Sequence, residues 1–441
     1  MYITLTWVYA DPDTGDPTYE SGNYQIKNLS FSPQVDMTGN SLPVNEYSCD
    51  VILPEPLPGD LAAAELYDAM DRLWSAYPLS EVVKITDKCI RVTASSWIKR
   101  LEGRQLEARM YAGETAEAAI EECFGTAWAN AYTVNSSIAS KTVTGYAPAQ
   151  SARDRLTSLL FVLGAVAIDV YRSDVLIRAV DRTETTIPLE HTYMRPLVTE
   201  GEWVTALRVT TYSFTEGTPQ ATDAYVSAGS VDYIVSSQTF ELTNPNAPDD
   251  ARENVLPVDG LMLIHSGNVS QVAARLAEYW FNPAEAQLTC INNRSYKPGD
   301  RVTGYAATDR LISGYIRQAD FRFGKQSASA LKLVGVANIE GAKLTINYRH
   351  GARNLGRETY YLPVGVAFSI SNPYLDQMRN GHRIIYRPTT ENAEGTMVAG
   401  GLTVTVNYEI ALDLYEGVLH VISVDEITEQ SSGGEYIGVI S

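Results

Sequence analysis

Residues 144–181 read TGYAPAQSARDRLTSLLFVLGAVAIDVYRSDVLIRAVD, and the rest of the chain is best understood outward from them. Apolar residues recur at Ala152, Leu156, Leu159, Leu160 and Leu163, which is one face of a helix. Ser151 stands where an N-cap hydroxyl accepts from a free backbone N–H, and Gly164 where a left-handed residue stops a helix. Stretches 165–171 and 175–180 then read as two strands around Arg172-Ser173-Asp174. Nothing here is arranged for chemistry, and a helix plus a hairpin alone implies only a buried scaffold.

Composition bounds what such a scaffold can belong to. A chain of 441 residues forms several domains, each able to bury a core. It carries 27 Tyr against 9 Phe, which favours half-buried β surfaces and interfaces. Lys and Arg number 34 against 53 Asp and Glu, a net charge of −19 that repels phosphate backbones. With no compensating basic stripe, specific nucleic-acid binding is not expected. The charge reads either as a solvated surface or as an acidic channel wall past which DNA slides. Cys49, Cys89, Cys123 and Cys290 are too far apart for a CxxC or zinc spacing and are expected reduced. The opening MYITLTWVYADPD reads as a strand, not a signal peptide, and the longest apolar run, 159–168, is too short for a membrane segment.

Outward from the helix, residues 1–100 read mainly as strands. Stretches 3–9 and 23–29 flank the turn-rich DPDTGDPTYESG, and 45–53, 82–85 and 89–94 follow. An acidic amphipathic helix is expected over 61–74, introduced by Pro58-Gly59-Asp60 with Asp60 as N-cap. A short helix over 115–124 stops at Gly125. Beyond residue 181, strands are expected at 203–214 and 224–235, then the loop Asn244-Pro245-Asn246-Ala247-Pro248. A helix over 269–280 puts Val272, Leu276 and Tyr279 on one side. Lys297-Pro298-Gly299-Asp300 is a type II turn, and strands 301–305, 311–323 and 331–336 complete the block.

The order of these pieces resembles the baseplate hub and tail-tip proteins of phage tails. The helix-plus-hairpin stretch matches a Gly-Tyr-x-Pro turn and an Arg-Asp-x-Leu helix through Gly145, Tyr146, Pro148, Arg153, Asp154, Leu156, Gly164, Ala165 and Val166. Asn244-Pro245, Val272-Ala273-Ala274-Arg275-Leu276 with Tyr279, Pro298-Gly299-Asp300-Arg301-Val302, Gly314-Tyr315-Ile316 and 331–335 follow in the family's order. The segment NLSFSPQVDMTGNSLPVNEYSCDVIL resembles the opening barrel of such hubs, so the likeness covers about 1–338.

The resemblance implies a mainly β fold with α+β insertions. Two β-barrel-like hub domains, 1–100 with its inserted helix 61–74 and 181–338 with its helix 269–280, would flank an α/β domain at 101–180. It further implies a structural, non-enzymatic virion protein, assembled in the host bacterial cytoplasm and located in the tail baseplate or tip. Three copies would form a homotrimer ring that continues the tail tube and lines the ejection channel. One face would meet the distal tail or tail tube protein and the other a spike or tip protein, with a tape-measure protein as a further partner. The second barrel would convert sixfold symmetry to threefold.

The C-terminal part differs. KLTINY at 343–348 and LTVTVNY at 402–408 are near copies that alternate strictly. Between them lie Gly351, Gly365, Ser369-Ile370-Ser371-Asn372-Pro373 and Gly381. Residues 340–410 resemble the small mucin-binding-protein-like β modules, which implies either host surface glycan binding or a plain β spacer whose first and last strands pair. The adhesin or receptor-binding reading of the whole chain rests on this module. Residues 411–441 hold a strand at 417–424, a polar SSGG at 431–434 and a short apolar end.

Candidate chemical sites fail on residue type or spacing, so no catalytic, cofactor or metal site is expected. Asp11, Asp13, Gly15 and Asp16 form a calcium-like string, but Gly22 stands where the closing Glu of an EF-hand belongs, and a hairpin turn is the better reading. Gly324-Lys325-Gln326-Ser327 lacks the spaced glycine of a P-loop. His191, His265, His350, His382 and His420 lack metal-site spacing. Glu121 and Glu122 read as solvated carboxylates beside a half-buried Cys123. Asn28, Asn135, Asn268 and Asn293 match N-x-[ST] by chance. The chain ends too soon after its β module for the peptidase or lysozyme domain that some hubs carry.

Overall fold

The computed structural model describes residues 1–11, 14, 16–57, 59–307, 310–323, 328–379, 382–418 and 435–439. The chain divides into two units. The first comprises Met1–Thr185, Thr192–Thr303 and Ile312–Ala337, and the second Thr186–His191, Gly304–Leu311 and Asn338–Ser441. Strand dominates both, and the fold is mainly β with helical insertions.

The first unit opens with an antiparallel sheet. Tyr2–Ala10 pairs with Pro17–Phe31 on one side and Asp60–Tyr67 on the other. Pro17–Phe31 continues to Glu46–Ile52, then Cys89–Ser95, and the sheet ends at Leu79–Thr86. The expected 61–74 helix is absent, and this is a correction: Asp60–Tyr67 and Leu73–Ser75 are strands. The Leu-Ala-Ala-Ala-Glu run has helix propensity, yet Ala64 and Leu66 alternate inward against Leu5 and Ile3. Strand pairing with a buried face outweighs the few tenths of a kcal/mol per residue that propensity supplies. The Asp68 carboxylate then closes a turn by accepting from Met70 N at 2.9 Å, Arg72 N at 3.1 Å and Trp74 Nε1 at 3.1 Å. No helix continues through that turn.

The quoted stretch folds as its pattern indicates. A helix spans Ala152–Leu163; Ser151 Oγ accepts from Asp154 N, and Gly164 follows at φ 65. Ala165–Ile168 and Val175–Ala179 form the antiparallel hairpin, both strands shorter than expected. A third strand, Tyr132–Val134, lies parallel to Val175–Ala179. The short helix spans Ala116–Phe124, with Thr115 as its N-cap and not its first residue.

Three hydrophobic cores meet on this stretch. Leu156, Leu159, Leu160, Leu163, Ala165 and Ala167 enter a core with Ile98, Ile120, Phe124 and Ile177. Phe161 enters a second with Leu207, Val209, Val272 and Leu276. Val166 and Ile168 enter a third with Val35, Met37, Tyr279 and Tyr315. A helix buried on nearly all sides cannot rotate without exposing one of these faces.

The last block of the first unit contains a four-stranded sheet, Tyr225–Ala228, Val231–Thr243, Ala206–Glu216 and Val255–Val258 in spatial order. The expected strand 224–235 is a hairpin instead, because Gly229 at φ 61 turns the chain between two strands. The helix Val269–Trp280 has the expected limits. The Lys297–Asp300 turn closes with Asp300 N donating to Lys297 O at 3.2 Å. Thr192–Glu200 pairs with Ala284–Ile291, which in turn pairs with the start of Ala328–His350. Ala328–His350 is one continuous strand, where the sequence suggested one strand at 331–336 and another at 343–348.

In the second unit, Leu344 lies opposite Leu402 and Tyr348 opposite Val406, so the two near-copy strands pair, in parallel. Arg353–Pro363 flanks Ala328–His350 on its other side. Leu344, Ile346, Tyr348, Tyr386, Val406 and Tyr408 are among the side chains that fill the core between the strands. The strand Leu402–Val418 pairs with the last described strand, Glu435–Val439. Gly381, His420, the SSGG segment and most of the expected strand 417–424 lie outside the described residues.

Leu159 is fully buried at the helix centre. Leu159→Ala is expected to cost about 2–5 kcal/mol through lost burial plus a cavity. The exposed Val82→Ala is expected to change stability by less than about 0.5 kcal/mol. Urea unfolding midpoints with unchanged slope measure both; a Leu159→Ala midpoint equal to wild type would contradict the shared-core account.

Candidate functional site

The residues that carried the family resemblance sit at joints between blocks of the first unit. Arg153 reaches out of the 152–163 helix, donating through Nε and Nη2 to Leu42 O at 3.0 and 2.6 Å and pairing with Glu102. Tyr146 N donates to Met262 O at 3.1 Å. Pro148 O accepts from Arg155 Nη2 at 2.7 Å. Asn244 is buried and donates through Nδ2 to Val204 O at 2.7 Å and Phe281 O at 3.2 Å. Gly299, at φ 92, packs on the hairpin so closely that an added Cβ would lie 2.7 Å from Ile168 Cδ1. Only glycine allows both that dihedral and that approach. The next residue, Asp300, pairs with Arg178 of the same hairpin at 2.7 Å.

Two buried polar groups lock these joints. Arg155 is fully buried and donates to Glu107 O at 2.8 Å, Pro148 O and the Tyr111 hydroxyl at 3.2 Å. Tyr111 in turn donates to Glu122 at 3.0 Å, and Arg109 pairs with the same carboxylate at 3.0 Å. This corrects the expectation for Glu121-Glu122-Cys123: Glu122 belongs to an ionic cluster, and Cys123 is buried, not half-buried, its thiol pushed up to about 12 by desolvation. Asp169 is the second group. It accepts from Asn45 Nδ2 at 2.7 Å and the Tyr77 hydroxyl at 2.9 Å, joining the hairpin to the first sheet. Burial raises its pKa although both hydrogen bonds favour the carboxylate.

The other sequence candidates have local structural roles. The Asp11 carboxylate accepts from Thr14 N at 3.1 Å, as in a hairpin turn; Asp13 and Gly15 lie outside the described residues. Cys49 and Cys290 are buried free thiols pushed up to about 12 by desolvation, and Cys89 is a half-buried free thiol. His350 Nδ1 lies 2.8 Å from Tyr408 O, and His382 Nδ1 lies 2.8 Å from Asp413. Asn135 and Asn293 accept from backbone N–H groups two residues on, Asn268 accepts from His265 N, and Asn28 donates to Asp50. Among the described residues no three His, Cys, Asp or Glu side chains converge as metal ligands. Residues 324–327 are outside the described set.

Three surface features were not legible in the sequence. A cavity of about 740 Å³ is lined by Val35, Met37, Trp280, Pro283 and Val334 among others. Two of its lining carboxylates are engaged: Asp36 accepts from Thr38 N and Ser41 N, and Glu285 pairs with Arg317. A second cavity, of about 540 Å³, gathers Arg72, Arg172, Arg178, Arg294 and Lys297. These cations come from three separate segments, so no basic stripe is visible along the chain. Carboxylates hold Arg72, Arg172 and Arg178, while Arg294 stacks over the Tyr171 ring at 4.8 Å. Finally, two strands expose apolar side chains. On Leu79–Thr86, Val82, Val83 and Ile85 are 45%, 44% and 46% exposed, and on Thr192–Glu200 Leu197 is 66% exposed. Among the described pairings each of these strands has a single partner, so each is a sheet edge.

No family model and no curated protein matches the chain. Solved structures similar to it include phage tail and type VI secretion proteins. A tail protein from Neisseria meningitidis is 11% identical, covering 76% of this chain and 96% of that one at a TM-score of 0.49. A prophage tail protein from Listeria monocytogenes is 10% identical, covering 76% and 94% at 0.48. A component of the E. coli type VI secretion system, itself described as structurally similar to T4 tail proteins, is 9% identical, covering 95% and 97% at 0.39. At these identities no residue's role transfers.

The Asp169 joint has a pH signature. Its carboxyl titrates above the unfolded value of about 3.9. Between those two values the folded chain holds a proton that the unfolded chain has released, so this group's contribution falls as pH rises through the folded pKa. Asp169→Asn is expected to flatten that part of the stability profile above about pH 4. Thermal midpoints across pH measure it; an unchanged slope would contradict the buried-carboxylate account.

Proposed function

We propose that this chain is a structural hub of a phage tail or phage-tail-like particle. In this reading three copies form a ring between tail tube and tail tip, residues 1–100 and 181–338 are its two barrel-like domains, and the ring lines the ejection channel. The carrying observation is that the ordered, hub-like sequence motifs occupy the joints between the blocks of the first unit. Arg153 on Leu42, Tyr146 on Met262, Gly299 on Ile168 and Asp300 on Arg178 are residues that a hub needs in order to hold its blocks in register. Several buried or half-buried polar side chains, Arg155, Asp169 and Asp300 among them, are engaged at these joints, which suits a structural role.

The two apolar sheet edges supply a surface for self-association. A strand edge with exposed Val and Leu is a liability in an isolated monomer and is usually covered in an assembly. Distinct edges at Leu79–Thr86 and Thr192–Glu200 suit head-to-tail contact, the geometry that closes rings. Pro196 within the second edge lacks a donor, as edge strands tolerate. The net charge of −19 gives such a ring an acidic wall that does not hold DNA. Contacts to a distal tail or tube protein, a spike or tip protein and a tape-measure protein belong to the same reading.

A second reading rests on the C-terminal unit, where Tyr374 is 69% and Met378 60% exposed on or beside one strand. An exposed aromatic beside polar groups is a surface on which host glycan could stack, and glycan-array binding by the full chain that is lost on Tyr374→Ala would favour a receptor-binding role.

Sedimentation of the purified chain is expected to give a three-chain mass at high concentration, and particle images a threefold ring. Val83→Asp and Leu197→Asp are each expected to weaken association by roughly tenfold or more, since each places a charge in an apolar contact. A wild-type chain that stays monomeric at high concentration overturns the ring.

A further inference from the structure

Arg275, in the helix Val269–Trp280, is only 8% exposed, yet its Nε and Nη2 have no hydrogen-bond partner among the described residues. It lines a pocket of about 280 Å³ together with Lys141, Gly164, Arg182, Gln271 and Glu278. Its guanidinium stacks over Phe161 at 5.0 Å, which fixes the plane of the group and leaves its edge free. Nε and Nη2 form the side-on fork that matches two oxygens of a carboxylate or phosphate. Two arginines elsewhere in this chain use that same fork: Arg91 on Asp50 and Arg172 on Asp174. Arg275 presents it to nothing.

The surroundings strengthen the contrast. Lys141 is a second cation lining the same pocket, and its charge repels that of Arg275. The nearby C-terminus of the 152–163 helix cannot serve as counter-charge in full, because three of its carbonyls are engaged. Lys141 Nζ donates to Leu163 O at 2.6 Å, and Gly164 N is shared by Leu160 O and Phe161 O. The acidic groups that face the pocket are also engaged: Glu278 pairs with Arg182 at 2.6 Å, and Asp36, whose charge reaches Arg275 from a distance, is held by Thr38 and Ser41. A fully buried arginine elsewhere, Arg155, has oxygen acceptors on both terminal nitrogens. Desolvation without such partners depresses Arg275 to about 10.

We propose that this pocket is a binding site for one small oxyanion, held side-on by Nε and Nη2 of Arg275 with Lys141 as the second cation. Phosphate, sulfate and a carboxylate side chain share the required chemistry. The oxyanion either comes free from solution or is carried by a second copy of this acidic chain.

The test is titration of the full chain with inorganic phosphate at constant ionic strength, read by calorimetry and in parallel by sedimentation. Saturable binding at one site per chain with unchanged self-association identifies a free oxyanion. Phosphate that binds and disperses associated chains identifies a carboxylate of a second copy as its competitor. Arg275→Met, which keeps the stem over Phe161, is expected to weaken phosphate binding by roughly ten- to a hundredfold, the weight of charge-assisted hydrogen bonds. Lys141→Met leaves the fork intact and is expected to weaken binding less, which keeps a reading available should the first variant not fold. Absence of saturable binding and of any phosphate effect on association in wild type overturns the proposal. So does undiminished binding in both variants.

Discussion

The constraint on which the first unit depends is that one short stretch, Ala152 to Ile168, is shared by three hydrophobic cores. Each fully buried Leu contributes about 1.5–3 kcal/mol on leaving water, but sharing matters more than the sum. The Leu156–Leu163 face holds the helix to Ala116–Phe124, Phe161 holds it to the four-stranded sheet, and Val166 with Ile168 holds the hairpin under Tyr279 and Tyr315. A change in the helix's rotation that improves one contact spoils another. Close packing of this kind makes a joint between blocks rigid, because interiors do not deform continuously.

Apolar packing sets distance but not direction, and the buried polar groups supply the second. Asp169 requires Asn45 and Tyr77 at fixed angles, Arg155 requires Glu107 O, Pro148 O and Tyr111, and Asp300 requires Arg178. Removing one partner of such a group leaves the other desolvated and unpaired, which costs more than the pair itself is worth. The first sheet, the hairpin and the 297–300 turn are therefore held in one register. Arg275 stands apart in having two donors of one guanidinium, Nε and Nη2, buried without a hydrogen-bond partner among the described residues.

Much of this was legible in the sequence where local and tertiary preferences agree. The helix Ala152–Leu163 combined period 3.6, an N-cap serine and a glycine stop, and the core confirmed that face. Helix Val269–Trp280 was equally legible. Residues 61–74 were not, because a run rich in Ala, Leu and Glu carries helix propensity while its partner strand, Tyr2–Ala10, is decided some sixty residues away. Gly229 hid in a strand-like run because a two-residue turn costs the pattern almost nothing. The five-cation cavity and the Arg275 pocket were illegible for another reason. Each gathers residues from segments far apart, and no spacing rule along one segment can report a convergence that only folding creates.

The chain spends several of its buried polar residues on holding its blocks together. Here Glu122, Asp169 and Asp300 are spent on joints, and the thiols of Cys49, Cys123 and Cys290 are buried and held protonated by desolvation. The exposed surface adds another feature: apolar strand edges at Val82, Val83, Ile85 and Leu197. Edges are completed by more backbone, and more backbone means another chain. In the proposed assembly, a scaffold whose three cores share the helix and hairpin of 152–168 would present those edges at fixed spacing.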